Sequence, residues 1–453
     1  MSSPAVVDGR VYIGSWDDWV YCLDAITGDW IWFYPTGDSV DSSPAVADGK
    51  VYIGSDDYNM YCLDAITGDY IWSYTIDGYV DNSPVIADGK IYFGSNDYDS
   101  EFGIVYCLDA NTGENIWKRK TRYWDWVTSS CAVADDKVYF GTSPPNAQPE
   151  AKVYCFDADT GDYIWSYKTE DWGTSSPAVA DGKVYFGTYQ PLYHDDGDVY
   201  CLDAITGDVI WGYSNIGQGA SSSPAVADGK VYIGSLDKNV YCLEANTGKH
   251  IWRYTTEYKV YSSPAVADGK VYISPYLDWM YCLDANTGKH IWSYNIGHGT
   301  YSSPAVADGK VYIGSHDGNV YAFGELDPDA PYAPEIIGPA RGMPDVLYNF
   351  TFKAESPVGN DLFYWIEWAD GSNSGWVGPY GSGVEITESH VWDEKGKCRI
   401  QAKAKDINGL VSSWSFFKFR ISRNRAIVNS LFQLFFDRFP LLEVFLREMN
   451  LLR

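Results

Sequence analysis

One repeated segment limits what this chain can fold into. The run "SSPAVADGKVYIGS", or a close variant, begins at Ser2, Ser42, Asn82, Ser129, Ser175, Ser222, Ser262 and Ser302. Eight units spaced roughly 40 to 50 residues apart, each holding several short strands, predict a β-propeller, because one such sheet cannot cover both of its own faces. Each unit reads as four strands: "SSPAVA", an Asp-Gly turn, "KVYIGS", a variable loop, "VYCLDA", a Thr-Gly turn, and "YIWSY". The pairs Asp48-Gly49 and Asp228-Gly229 suit a tight turn with positive φ, which glycine adopts without steric cost. The 38 Tyr, 19 Trp and 43 Gly favour strands and turns over helices.

The last unit is shorter. After "VYAFGELDPDAPYAP" no I-W strand follows, so its outer edge is expected to stay open, to be filled by Glu335 to Pro339, or to be filled by another chain. No signal peptide is visible at "MSSPAVVDGRVY", and no run of about 18 apolar residues would span a membrane. The first unit starts abruptly at Met1, which is expected to be a trimmed start with a leader upstream.

The run C-L-D-A-x-T-G-x-x-I-W, seen at Cys22 to Trp32 and Cys62 to Trp72, resembles the tryptophan-docking motif of pyrroloquinoline-quinone-like propeller repeats. The resemblance covers residues 2 to about 324. It implies structural roles for Asp24, Thr27 and Gly28, for Asp64, Thr67 and Gly68, and for a tryptophan packed between blades at Trp32, Trp72, Trp117, Trp165, Trp211, Trp252 and Trp292.

Where that family usually has alanine, this chain has Cys22, Cys62, Cys107, Cys155, Cys201, Cys242 and Cys282, with alanine returning at Ala322. A repeated thiol suggests a metal ligand, half of a disulfide, a nucleophile or a small apolar plug. There is no C-x-x-C pair, and the six histidines do not fall at metal-ligand spacing. Equivalent positions on neighbouring blades are expected to lie farther apart than the roughly 4.4–6.8 Å between Cα atoms that a disulfide spans. The plug is the favoured reading, since cysteine behaves as a small buried hydrophobe. Cys131, in place of the usual proline, and Cys398 lack an obvious partner.

Composition changes at "ELDPDAPYAPEIIGP", so the expected organisation is a propeller over 1–326, a Pro-rich linker over 327–338, a β-sandwich over 339–422 and an amphipathic helical tail over 423–453. The third segment resembles the polycystic-kidney-disease type of immunoglobulin-like domain. Its W-G-D-G signature appears as Trp368-Ala369-Asp370-Gly371, departing at Ala369, and its A-x-D-x-x-G element as Ala404, Asp406 and Gly409. In the tail, Leu431, Leu434, Phe435 and Phe439, then Leu442, Phe445, Leu446 and Leu451, recur at helical spacing around Pro440. That pattern suits a docked helical pair or an assembly or membrane-surface helix. The fold class is thus all-β: an eight-bladed propeller, a small sandwich and a short helical tail.

Chain direction places the second-to-third-strand loops and the blade-joining loops on one face, and nearly all variation between repeats falls there. That marks a candidate binding face. Its candidate residues are Trp16, Asp17, Trp19, Asp57, Tyr58, Asp97, Tyr98, Tyr123, Trp124, Trp126, Trp172, Tyr193, His194 and Trp279. Aromatic rings beside carboxylates suit sugars, cationic peptides or amines. The loops "DYDSE" and "HDDGD" are candidate oxygen ligands for calcium, though neither has EF-hand spacing. A net charge of −28 repels phosphate backbones, so nucleic acid is not an expected partner.

Quinoprotein alcohol dehydrogenases share the repeat, but many carry an adjacent Cys-Cys pair that is missing here, as are a G-x-S-x-G elbow, H-E-x-x-H and a phosphate loop. The favoured expectation is a non-catalytic scaffold without a cofactor, extracellular or at a cell surface, binding a protein or glycan through its loop face. A dehydrogenase dependent on pyrroloquinoline quinone and calcium, and a protein that self-assembles through the open blade or the tail, are the alternatives.

Overall fold

The computed structural model describes all residues except 1, 81, 98–100, 145–149, 190–195, 278, 298, 325–326 and 423–453. Among the described residues all regular elements are β-strands. They fall into two compact units, Met1–Gly324 and Glu325–Arg453. The expected helical tail lies outside the described residues.

The first unit is a β-propeller. Eight antiparallel sheets follow one another along the chain, here called sheets 1 to 8. Sheet 2 shows the pattern, with Ala45–Ala47, Lys50–Ser55, Asn59–Asp64 and Tyr70–Thr75 paired in sequence order. Sheets 4 and 5 each gain a short extra strand, Trp126–Val127 and Gly173–Thr174, on their second strand. The first strands of successive sheets touch in a closed cycle that runs from sheet 8 back to sheet 1.

The two serines of S-S-P explain why that cycle forms. The first ties its own sheet: the amides of Gly14, Gly141, Gly187 and Gly234 donate to the hydroxyls of Ser2, Ser129, Ser175 and Ser222 at 2.7–3.0 Å. The second ties neighbouring sheets. Ser3 donates its amide to Ser43 Oγ at 2.9 Å, Ser43 to Ser83 at 3.0 Å, Ser83 to Ser130 at 3.1 Å, Ser130 to Ser176 at 3.0 Å, Ser223 to Ser263 at 3.0 Å and Ser263 to Ser303 at 2.9 Å. Ser303 then donates to Ser3 at 2.8 Å, closing the ring on its inner side. Inner closure therefore needs no outer strand on sheet 8.

The Asp-Gly turns take positive φ at both residues, 49° at Asp48 and 71° at Gly49, the conformation that suits a two-residue hairpin. The docking motif works between sheets. The Trp32 indole donates to the Ala65 carbonyl at 3.1 Å, and Tyr12 Oη donates to the same oxygen at 3.0 Å. The pairing recurs at Trp72, Trp117, Trp165, Trp211 and Trp252, whose indoles reach Ala110, Ala158, Ala204, Ala245 and Ala285. Each indole lies flat on the next sheet's Thr-Gly turn, so a Cβ at Gly68 would sit 2.6 Å from the Trp32 ring. Trp292 differs. It is half-buried and packs on Phe323 at 5.4 Å between ring centroids, because sheet 8 has no Thr-Gly turn to receive it.

The seven repeated cysteines are fully buried, free, and opposite the docking tryptophans, as Cys62 is opposite Trp72. Burial pushes the thiols of Cys62, Cys107, Cys155 and Cys242 up to about 12, so they are neutral apolar plugs. Cys131 and Cys398 are also free and buried.

The second unit is a two-sheet β-structure. One sheet pairs Glu335–Ile337, Leu347–Lys353 and Ile386–Val391; the other runs Arg341–Gly342, Ser415–Ile421, Gly396–Asp406, Leu362–Glu367 and Val377–Tyr380. This corrects two expectations. Glu335–Ile337 neither serves as linker nor fills the edge of sheet 8, because it pairs antiparallel with Leu347–Lys353. Its alternating Ile336 packs on the core of the second unit, which a three-residue strand between prolines does not advertise. At the signature, Ala369 holds φ 68° where the related pattern has glycine, while Asp406 accepts the amides of Asn408 and Leu410 at 2.9 Å.

Candidate functional site

Two positions per repeat meet near the propeller axis on the loop face: the residue just before S-S-P, and the residue that follows the G-S or G-T ending the second strand. Backbone geometry fixes both, since the serines anchor the first and the sheet anchors the second. Their side chains are therefore free to differ.

From the junction of sheets 6 and 7 round to sheet 1, these positions carry rings. Tyr261 and Tyr301 precede their serine pairs, while His316, Trp16 and Tyr276 occupy the second position, Tyr276 following Ser274-Pro275, which replaces G-S in sheet 7. Tyr301 contacts Tyr261 at 5.4 Å, Tyr276 at 5.0 Å and His316 at 5.8 Å between centroids, and His316 contacts Trp16 at 5.3 Å. The result is a continuous aromatic arc across sheets 7, 8 and 1. It is open to solvent, with Trp16 54%, Tyr301 42% and Tyr276 37% exposed. Burial, then a hydrogen bond with Tyr276, pushes the Tyr301 hydroxyl up to about 12. The Trp16 indole donates to Asp41, which holds the ring at the acidic end of the arc.

On the opposite side the first of these positions is small and polar, while the second holds Tyr189 in sheet 5 and Leu236 in sheet 6. Thr128, Thr174 and Ser221 precede their serine pairs, and with Ser176, Ser223, Tyr189, Leu236 and Tyr261 they line a cavity of about 350 Å³. Among the described residues no side chain lining it is charged, a lining that does not fit pyrroloquinoline quinone, an anionic tricarboxylate held with calcium.

Of the residues singled out by sequence, Trp16 belongs to the arc. Asp17 and Asp57 instead accept the hydroxyls of Tyr21 and Tyr61 at 2.7 and 2.6 Å, and Asp237 and Asp317 do the same for Tyr241 and Tyr321, so these carboxylates brace their own loops. Trp19 and Trp279 begin third strands, and Trp19 packs edge-on against Phe33 at 5.3 Å, away from the axis. Tyr58 packs tilted against Tyr79 at 4.8 Å, and Tyr123 stacks on Trp124 at 5.3 Å, forming two further exposed aromatic pairs. Asp97 ends strand Lys90–Asp97, paired with Phe102. Trp126 lies in the extra strand of sheet 4, and the half-buried Trp172 offers its carbonyl to the Ser143 hydroxyl. Tyr98, Tyr193 and His194 lie outside the described residues.

Sequence reading missed Tyr261 and Tyr301, and it placed Tyr276 and His316 only as the first residues of second-to-third-strand loops on that face. The usable signal was their offset from the repeated S-S-P and G-S steps, not membership of a long loop.

The chain matches the family described as outer membrane protein assembly factor BamB over residues 17–100, 101–194 and 195–327. It belongs to that family. Among solved structures it is similar to BamB from Moraxella catarrhalis, at 18% identity and a TM-score of 0.58, covering 71% of this chain and 96% of that one. It is also similar to a europium-containing methanol dehydrogenase, at 18% identity and a TM-score of 0.56, covering 71% and 81%. A PKD domain of an M14-like peptidase from a Thermoplasmatales archaeon is 42% identical, covering 21% of this chain and 98% of that one, with a TM-score of 0.21. No curated protein matches the chain.

Proposed function

We propose that this chain is a non-catalytic, eight-bladed propeller scaffold outside the cytoplasm that binds a protein partner through the aromatic arc Tyr261, Tyr276, Tyr301, His316 and Trp16. The observation that carries this reading is the arc itself: rings fixed by their own backbone, touching one another, and still open to solvent. Clustered aromatic anchors are what protein partners bury at the centre of an interface. Membership of a family named for an assembly factor supports a protein rather than a small molecule as the partner. The second unit, which we read as a PKD-type module, serves as a spacer.

The test is crosslinking from a photoreactive side chain at position 16 in the native host, with and without the triple change Tyr276→Ser, Tyr301→Ser and His316→Ser. The scaffold reading expects one or a few crosslinked proteins that vanish in the triple variant while its circular dichroism is unchanged. Equal capture by the triple variant would remove the arc from the binding site. Dye reduction with alcohols in the presence of pyrroloquinoline quinone and calcium would overturn the non-catalytic assignment.

A further inference from the structure

Alternation along the strands gives the five-stranded sheet of the second unit two chemically different faces. Cys398, Ile400, Ala402, Phe419 and Ile421 belong to the core. Their chain neighbours Lys397, Arg399, Lys418 and Arg420 therefore point outward, and all four are exposed. Antiparallel pairing sets Lys397 directly opposite Arg420 and Arg399 directly opposite Lys418. The edge strand adds a fifth cation, because the exposed Arg341 pairs in parallel with Arg420. The five share a patch about 10 Å across three strands and about 7 Å along them.

Among the described residues none of the five makes an ion pair. Glu367, the one carboxylate at an outward strand position of this sheet, is held by the Gln401 amide and the Trp365 indole. Like charges directly opposite each other destabilise a sheet. They stand here in a chain whose 61 Asp and Glu outnumber its 33 Lys and Arg, so the patch reverses the charge of the chain around it. Beside it the face turns aromatic. The Arg399 guanidinium lies 3.8 Å from the centre of the Phe416 ring, which is 47% exposed. Stacking orders that guanidinium without neutralising it.

We propose that this face binds an acidic polysaccharide, a polymer with a carboxylate or sulfate on successive sugars, laid over Arg341, Arg420, Lys397, Lys418 and Arg399. On an open face each ion pair contributes little, so a lone anion is held weakly while a polymer engages several cations at once. The exposed edge of Phe416 offers an apolar surface to a sugar ring. The choice of polysaccharide over nucleic acid rests on the placement outside the cytoplasm proposed above. It rests also on the net charge of −28, which opposes the more densely charged phosphate backbone. The second unit is then an anchor as well as a spacer.

The test is fluorescence polarisation of short labelled alginate oligomers, which carry a carboxylate on every sugar, with the full chain. Saturable binding is expected, weakening at least about tenfold between about 50 and 200 mM salt. The triple change Arg399→Gln, Lys418→Gln and Arg420→Gln should weaken it at least about tenfold, while Arg399→Lys with Arg420→Lys keeps it within about threefold. Removing like charges from opposite positions should raise the midpoint of the second unit, so lost binding is not lost folding. Lys249→Gln, Lys259→Gln and Lys289→Gln remove the same charge from exposed propeller positions and should leave binding unchanged. Absence of binding, an equal loss in this propeller variant, or equal binding of neutral dextran would each overturn the proposal. So would equal or tighter binding of single-stranded DNA or of phosphatidylglycerol vesicles, or self-association at low salt that the triple variant loses. None of these outcomes touches the arc, which crosslinking from position 16 reports on separately.

Discussion

In the propeller, the apolar interior is divided into clusters that each lie between two neighbouring sheets, such as the one joining Tyr52, Cys62 and Trp72 of sheet 2 to Ile91, Phe93 and Leu108 of sheet 3. In the second unit a single cluster of fifteen buried residues holds both sheets. There Trp392 sits 4.8 Å from Phe419, 5.9 Å from Phe350 and 6.0 Å from Trp368, and its indole donates to the Trp368 carbonyl at 2.9 Å. A repeated architecture thus confines a packing defect to one interface. A single-core domain spreads the defect through everything it has.

The sharpest way to break this comparison is Trp392→Ala. Removing a large ring that is 3% exposed is expected to cost about 4 kcal/mol, a large share of the stability of a small domain. Calorimetry should lose the transition of the second unit and keep that of the propeller; loss of both would show that the two do not unfold independently. Next in size is Trp117→Ala, expected to cost about 3 kcal/mol, against Trp292→Ala at about half that, because Trp292 is half-buried and has no docking turn. Equal losses in denaturant titration would show that the docking turn adds nothing beyond ring burial.

A smaller change, of opposite sign, is expected at Ala369. Relieving its φ of 68° by Ala369→Gly should stabilise the second unit by about 0.5–1 kcal/mol, read as a raised midpoint. The smallest individual effects come from the turn aspartates. The carboxyls of Asp64, Asp109, Asp157 and Asp203 lie below the usual range, chiefly because each accepts the backbone amide of its motif threonine. A carboxyl lowered in the folded state contributes stability above its unfolded value of about 3.9 and loses it as pH falls through the folded value. The propeller midpoint should therefore drop as pH falls below about 4, and Asp109→Asn should flatten that drop slightly.

Much of the fold was legible because its devices are local and repeated. The Asp-Gly hairpins, the cysteine plugs and the docking tryptophans each answer a geometric demand within one repeat or between neighbours. The site was less legible because it exists only after the ring closes. Trp16 and Trp19 are three residues apart in one loop, yet the first joins rings from sheets 7 and 8 while the second packs on Phe33 of its own sheet. Loop acidity misled in the same way: Asp17 and Asp57 read as ligand-facing carboxylates until their tyrosine partners came into view. Position relative to the serine and glycine anchors separates these cases, and length or composition of the loop does not.

The nine buried thiols carry a consequence for how the chain is made. Unfolded, each would have an ordinary pKa near 8.5, and seven stand in nearly identical sequence surroundings that offer no basis for choosing a partner. In an oxidising compartment such a chain is open to mispairing at every repeat. Once the sheets stack, every thiol is sealed and uncharged. A protein built this way has to fold faster than it is oxidised, and ring closure is what seals eight of its nine thiols, Cys398 being sealed in the second unit.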